Sequence, residues 1–295
     1  MSRVLVTGGS GRVGRRVAAM LVTEGFDVRV ADVVGGDDPA IEYVTGDITD
    51  YDWMSTATAD VDHVVHLAAI PVENGKAREL FRANVEGVFN AIDTSANNGV
   101  RGFVFASTVG VYGFLHPTQP WSPQYFPIDE ASPLVAELNY ANMKIIGEQF
   151  QRSYARSHNM DCIALRLATV VNPGVELWER IVHTIDDPET PFLRGLTMRD
   201  YLWQYIHVED AATSLLLAVQ HMERNPGLGF DAFNIGAADN LSSVPTLELI
   251  AKYFPGVPGL HDPERFVTHP TAALYGIRKA QEVLGFSPQF TWRDL

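Results

Sequence analysis

A chain of 295 residues that is 46% hydrophobic can bury the core of one large α/β domain beside a smaller lobe, and its composition is neither disordered nor fibrous. With 22 basic and 36 acidic residues the formal charge is −14, so its field repels phosphate backbones and anionic bilayers and argues against nucleic acid or membrane partners. The single cysteine, Cys162, rules out an internal disulfide and reads as a small buried hydrophobe within MDCIALRLA.

In chain order, the N-terminus passes at once into a strand-like RVLVT without the regions of a secretion signal, and no apolar run is long enough to span a bilayer. A cytoplasmic protein is the expectation. Short β-branched segments at residues 4–7, 28–31, 41–45, 63–67, 103–107 and 162–167 alternate with amphipathic stretches at 13–24, 77–97 and 140–157. That alternation predicts a doubly wound parallel sheet, a Rossmann-type α/β fold with helices on both faces. Residues 116–133, rich in proline and aromatics, predict an irregular loop able to cover a site. After Asn172 the rhythm weakens, returning only at 208–221 and 230–235. The expected division is a sheet domain of residues 1–171 and 207–235 and a small, discontinuous C-terminal lobe of 172–206 and 236–295.

TGGSGRVG follows the first strand directly and sets Gly8, Gly11 and Gly14 in a GxxGxxG spacing, with Arg12 and Val13 opening the next helix. Glycines permit the tight turn, the approach of backbone to a pyrophosphate and close helix–strand packing, so the segment predicts a dinucleotide site. Asp32 ends the second strand, where a carboxylate accepts from ribose hydroxyls and repels a 2′-phosphate; NAD is the expected cofactor. Arg12, Arg15 and Arg16 leave some room for NADP.

In NYANMK, Tyr140 and Lys144 lie four apart and project from one helix face. A neighbouring ammonium lowers the pKa of a phenol and fits it for acid/base work. The fifth strand ends in Ser107 and Thr108, hydroxyls suited to holding a substrate oxygen. In this chain order the glycine turn, Asp32, the hydroxyls and YxxxK strongly resemble the extended short-chain dehydrogenases, the NAD-dependent epimerase/dehydratase proteins, over nearly the whole chain.

The resemblance implies that Tyr140 is the acid/base, Lys144 holds the cofactor ribose, and Thr108, aligned on Val111 to Gly113, fixes the substrate oxygen with Ser107 before it. It implies an adenine-contacting pair in Asp47 and Ile48, a loop beneath the cofactor at Leu67, Ala68 and Ala69, and a structural asparagine in Asn84 that joins the cofactor set. His66 reads as a buried histidine; His207, Asp210 and VLGFSP are further landmarks, with a helix cap as the plain reading of Asp210.

Dehydratases of this family carry an acidic pair after the threonine, whereas this chain has Val109 and Gly110. The asparagine that contacts a sugar nucleotide is replaced by Thr169, followed by Asn172, and the serine before the catalytic lysine by Met143. Arg194, Arg199, Arg265 and Arg278 are candidates to grip a diphosphate; Thr108, Thr169, Asn172 and Arg199 form the expected substrate set, and no metal is expected. Ile70, Pro71, Val72 and Glu73 add a likeness to uronate dehydrogenases. Epimerisation of a nucleotide sugar is the first expectation, net oxidation of a free sugar or uronic acid the second, and a non-catalytic NAD-binding regulatory protein the third. A homodimer through the helices at 77–97 and 140–157 is implied as well.

Overall fold

The computed structural model describes residues 1–71, 76–115, 121–185, 187, 189–191, 196–257 and 259–295. The chain divides into two compact units, one of Met1–Thr108, Asn139–Arg166 and Ala212–Phe233, the other of Val109–Leu138, Leu167–Ala211 and Asn234–Leu295.

The first unit is built on strands β1 (Arg3–Thr7), β2 (Asp27–Asp32), β3 (Ile41–Thr45), β4 (His63–His66), β5 (Gly102–Thr108), β6 (Asp161–Leu167) and β7 (Phe230–Ile235). They form one seven-stranded sheet in the order β7-β6-β5-β4-β1-β2-β3. The pairings β1 with β2, β1 with β4, β2 with β3 and β4 with β5 are parallel. The order reverses beside β1, which is the doubly wound topology expected from the alternation and the place where such sheets bind ligands. Val4, Leu5, Val6, Val64, Val65, Phe103 and Phe105 are all buried, because a parallel sheet covered on both faces has no solvated side.

Helix α1 (Arg12–Thr23) turns Gly14, Val17, Ala18 and Leu21 onto the sheet. Asp50 caps α2 (Tyr51–Ala57) by accepting from the N–H of Trp53 at 3.0 Å. The single helix expected over 77–97 is instead α3 (Ala77–Phe81), a π turn at Arg82–Glu86 and α4 (Gly87–Asn97). A single π turn shifts the helical phase by about one residue, a change that the three-and-four spacing of so short a stretch does not resolve. Helix α5 (Asn139–His158) lies close on β5: a Cβ on Gly147 would stand 2.6 Å from the ring of Phe105. Cys162 is fully buried in this core, and burial pushes its thiol pKa up, away from a nucleophile's range.

Residues 109–138 were expected with the sheet domain, yet they belong to the second unit. Their hydrogen bonds explain why. The Asn234 amide donates to the carbonyls of Ile128 and Gly276 and accepts from the Tyr112 hydroxyl at 2.7 Å, while its backbone N–H donates to Glu130. The N–H of Ile128 also reaches Leu274 O at 2.8 Å, so this segment is bound to C-terminal residues that no local pattern connects to it. Asp210 is not a simple helix cap. Its two carboxylate oxygens accept from the N–H groups of Gln289 and Phe290, both at 3.0 Å, and fasten the C-terminal segment. His207 stacks on Phe290 with ring centroids 4.3 Å apart. Leu202 and Trp203 both take left-handed backbone angles (φ 52 and φ 50), a conformation that disfavours bulky side chains by about 1–2 kcal/mol each. Among the described residues no helix is long and apolar enough to cross a membrane.

Candidate active site

The glycine turn leaves β1 with Gly8 at φ +69, its N–H donating to Ala31 O at 2.8 Å. A side chain at Gly8 would place its Cβ 2.7 Å from the backbone N of Ala68, so the backbone stays bare there. Gly11 precedes α1 without a side-chain cap, which leaves the first N–H groups of that helix directed at whatever anion lies before them. Gly14 is buried against the turn and Val13 half-buried, whereas Arg12 is exposed.

Gly8, Gly11, Asp32, Asp47, Ile48, Leu67, Ala68 and Ala69 line one cleft of about 510 Å³. The Asp32 carboxylate accepts from the backbone N–H of Ser10 at 3.0 Å and of Val34 at 3.3 Å, which fixes its negative charge at the end of β2. Asp47 closes an Asx turn onto the N–H of Thr49 at 2.9 Å, and the Ile48 carbonyl is held by Asn90 at 3.0 Å. Arg82 and Glu79 also face the cleft and escaped the sequence reading; Arg82 sits two residues before Asn84 in the unpredicted π turn. Asn84 itself is fully buried, its amide accepting from the N–H of Ile70 at 2.8 Å and donating to that residue's carbonyl at 2.9 Å. Expected in the cofactor set, it therefore positions the loop that ends in Ile70 and has no surface with which to touch a ligand.

At the end of β5, two consecutive hydroxyls have different surroundings. Ser107 is buried and donates to Glu148 Oε1 at 2.7 Å, and Glu148 in turn receives Arg166 through Nε at 3.0 Å and a terminal nitrogen at 2.8 Å. Ser107 is thus committed to an internal ion pair, which corrects its place among the catalytic candidates. Thr108 is half-buried. Tyr140 and Lys144 share the face of α5 that meets this strand end. The Lys144 ammonium donates to Ala106 O at 2.8 Å and lies 4.7 Å from the ring centre of Phe105 and 5.6 Å from that of Tyr140. Burial brings its pKa down to about 8. His66, below the strand ends, shares a hydrogen bond with the Thr7 hydroxyl at 2.9 Å; burial, and then the Lys144 charge, hold its pKa at about 3, so the ring is neutral.

The model of the NAD dependent epimerase/dehydratase family matches residues 4–236. The chain belongs to this family. It is 28% identical to a UDP-glucose 4-epimerase of Streptococcus mutans over 97% of this chain and 92% of that one. A crystal structure of a UDP-galactose 4-epimerase superposes with a TM-score of 0.69 at 27% identity, covering 98% of this chain and 94% of the other. The fold is shared with the UDP-glucose 4-epimerase of Brucella ovis in complex with NAD, at a TM-score of 0.71 and 23% identity over 99% and 94% of the two chains.

The cleft fits the family's cofactor, NAD. The bare glycine turn and open helix end suit a pyrophosphate, and Asp32 suits an unphosphorylated ribose. Met143, where the family has serine, packs with Leu80, Val85 and the half-buried Ile70 and Phe150, an apolar contact a serine would forfeit. Val109 and Gly110 are both buried and carry no proton donor in their side chains.

In the second unit Thr169 is half-buried and bonded to Gln204, and the Asn172 carbonyl accepts from Val175 at 3.3 Å. Arg199 is paired with Glu189 and Asp200, and Arg278 with Glu282. Arg265 is half-buried, and its guanidinium has no hydrogen-bond partner among the described residues; burial lowers its pKa. Arg194, Val72, Glu73 and residues 116–120 lie outside the described residues.

Proposed function

We propose that the chain is an NAD-dependent 4-epimerase of a nucleotide sugar, a UDP-hexose, working in the cytoplasm as a homodimer through the helical stretches at 77–97 and 140–157. The observation that carries the reading is the Lys144 ammonium, buried against Ala106 O beside the Tyr140 ring at the end of the strand that presents Thr108. The near full-length likeness to UDP-glucose 4-epimerases supports the substrate class. NAD, when bound, supplies a hydride acceptor and then a hydride donor.

The rest falls to this chain's residues. Thr108 holds the sugar's C4 oxygen, and Tyr140 takes the proton from it as that carbon is oxidised to the ketone. Lys144 places positive charge beside the Tyr140 ring, favouring the phenolate that the step requires. After the keto-sugar turns over, Tyr140 returns the proton to the same oxygen as the carbon is reduced from its other face, so no net oxidation results. Val109 and Gly110 offer no acid to expel a neighbouring hydroxyl, which keeps the reaction from dehydration. Of the described candidates Arg265 is the one proposed to pair with a diphosphate, because the others already hold carboxylates.

The test is mass spectrometry of the nucleotide released on denaturing fresh protein, followed by incubation with UDP-glucose, UDP-galactose and free uronic acids at the NADH absorbance band. Retained NAD with interconversion of the UDP-sugars and no accumulating NADH is expected. NADH accumulating on a free uronic acid alone would replace the epimerase with a dehydrogenase.

A further inference from the structure

By the family resemblance, Thr169 takes the place of an asparagine that contacts a sugar nucleotide. Its backbone N–H donates to Gln204 Oε1 at 2.8 Å, and its hydroxyl lies 3.0 Å from Gln204 Nε2. A backbone N–H can only donate, so the atom facing it must be the amide oxygen, and the orientation of the Gln204 side chain is settled. Nε2 then faces the threonine oxygen, and an amide nitrogen can only donate. The Thr169 hydroxyl therefore accepts from Gln204 and keeps its own proton to give. Among the described residues nothing receives that proton. Thr169 is half-buried, whereas Gln204 is only 5% exposed.

We infer that Gln204 is a positioning residue that makes Thr169 a hydrogen-bond donor toward an acceptor oxygen of the substrate, phosphoryl or sugar. This deepens the function proposed above and rests on it, together with the expectation carried by the family resemblance that Thr169 belongs to the substrate set. Thr169 paired with Gln204 thus does what an asparagine amide does alone: it presents a single N–H or O–H of fixed direction. Gln204 is too enclosed to meet the substrate and acts through its neighbour. The adjoining Leu202 and Trp203, both in left-handed conformation, bring it there, and the Trp203 carbonyl is held by the N–H of Leu241 at 2.7 Å.

The experiment measures KM and kcat for UDP-glucose in the wild-type holoenzyme, Gln204→Glu, Thr169→Val and the double variant at pH 7.5. A glutamate keeps the shape and still accepts from the Thr169 N–H, but its second oxygen draws the hydroxyl proton inward and reverses the bond. Each single variant should raise KM about tenfold with kcat within about twofold, the effect of one lost hydrogen bond to a charged group. The double variant should be no worse than Thr169→Val, because both changes remove the same donor. A wild-type KM in Gln204→Glu overturns the inference, and so does a double variant weakened about a hundredfold, since the side chain at 204 would then act independently of Thr169. Gln204→Met, uncharged and of similar length, should also raise KM and decides the matter if the glutamate variant folds poorly. Turnover of free glucuronate but not UDP-glucose would remove the 4-epimerase reading. The same comparison run on glucuronate would still decide the role of Gln204.

Discussion

Replacing Lys144 by methionine tests whether a buried ammonium is maintained at the expense of stability. Lys144 is 3% exposed, and burial brings its pKa from the ordinary 10.5 to about 8. The unfolded chain thus holds this proton more tightly than the folded one. Below pH 8 both states carry the charge and the full penalty is present; between pH 8 and 10.5 only the unfolded state stays protonated, so folding stability rises with pH across that window. At about 1.36 kcal/mol per pH unit, the gap of roughly 2.5 corresponds to about 3 kcal/mol, most of it regained by pH 10. Methionine carries no such proton. Urea unfolding of nucleotide-free protein, followed by tryptophan fluorescence at pH 7, 8.5 and 10, should show the wild type gaining about 2–3 kcal/mol on Lys144→Met as pH rises. Other titrating groups cancel in the difference. A difference constant to within about 0.5 kcal/mol would refute the reasoning, because Lys144 would then titrate alike in both states.

The remaining predictions concern the same unit. Tyr140→Phe removes one hydroxyl without altering ring packing, so kcat should fall by at least about a hundredfold while NAD affinity, followed by fluorescence titration, stays within about threefold; near-normal turnover would remove Tyr140 as the acid/base. Gly8→Ala drives a Cβ toward the backbone of Ala68 at a left-handed residue, and should abolish retention of NAD on gel filtration. Undiminished retention would mean the turn does not meet the nucleotide. Glu148→Leu leaves Arg166 buried without its counter-charge and should lower unfolding free energy by about 3–5 kcal/mol. A loss below about 1 kcal/mol would show that water or another group reaches the guanidinium.

The strands and α5 were legible to within a residue or two, because burial on both faces writes itself as β-branched runs and helix packing as three-and-four spacing. The segment from Gly8 to Gly14 was legible for a different reason: turn dihedrals and close approach admit few residues other than glycine. What escaped depends on partners far away in sequence. Ser107 and Thr108 are chemically alike and adjacent, and only Glu148 and Arg166, far along the chain, reveal the internal hydrogen bond that Ser107 makes. Asn84 stands in the expected cofactor set until its buried amide is seen to pair with both the N–H and the carbonyl of Ile70. Residues 109–138 carry no mark of their attachment to Asn234 and Leu274, and nothing near Thr169 signals a glutamine 35 positions on.

The interleaving of the two units has a consequence for synthesis on the ribosome. Three stretches of one alternate with three of the other, and the last strand of the main sheet begins only at Phe230. Until then β6 is an open edge with unpaired N–H and C=O groups, and the loop segment ending at Leu138 waits for Asn234 and Leu274, which emerge still later. Neither unit can close early from a contiguous nascent segment, so such a chain should fold late, slowly and largely after release, and lean on chaperones to cover its edge meanwhile.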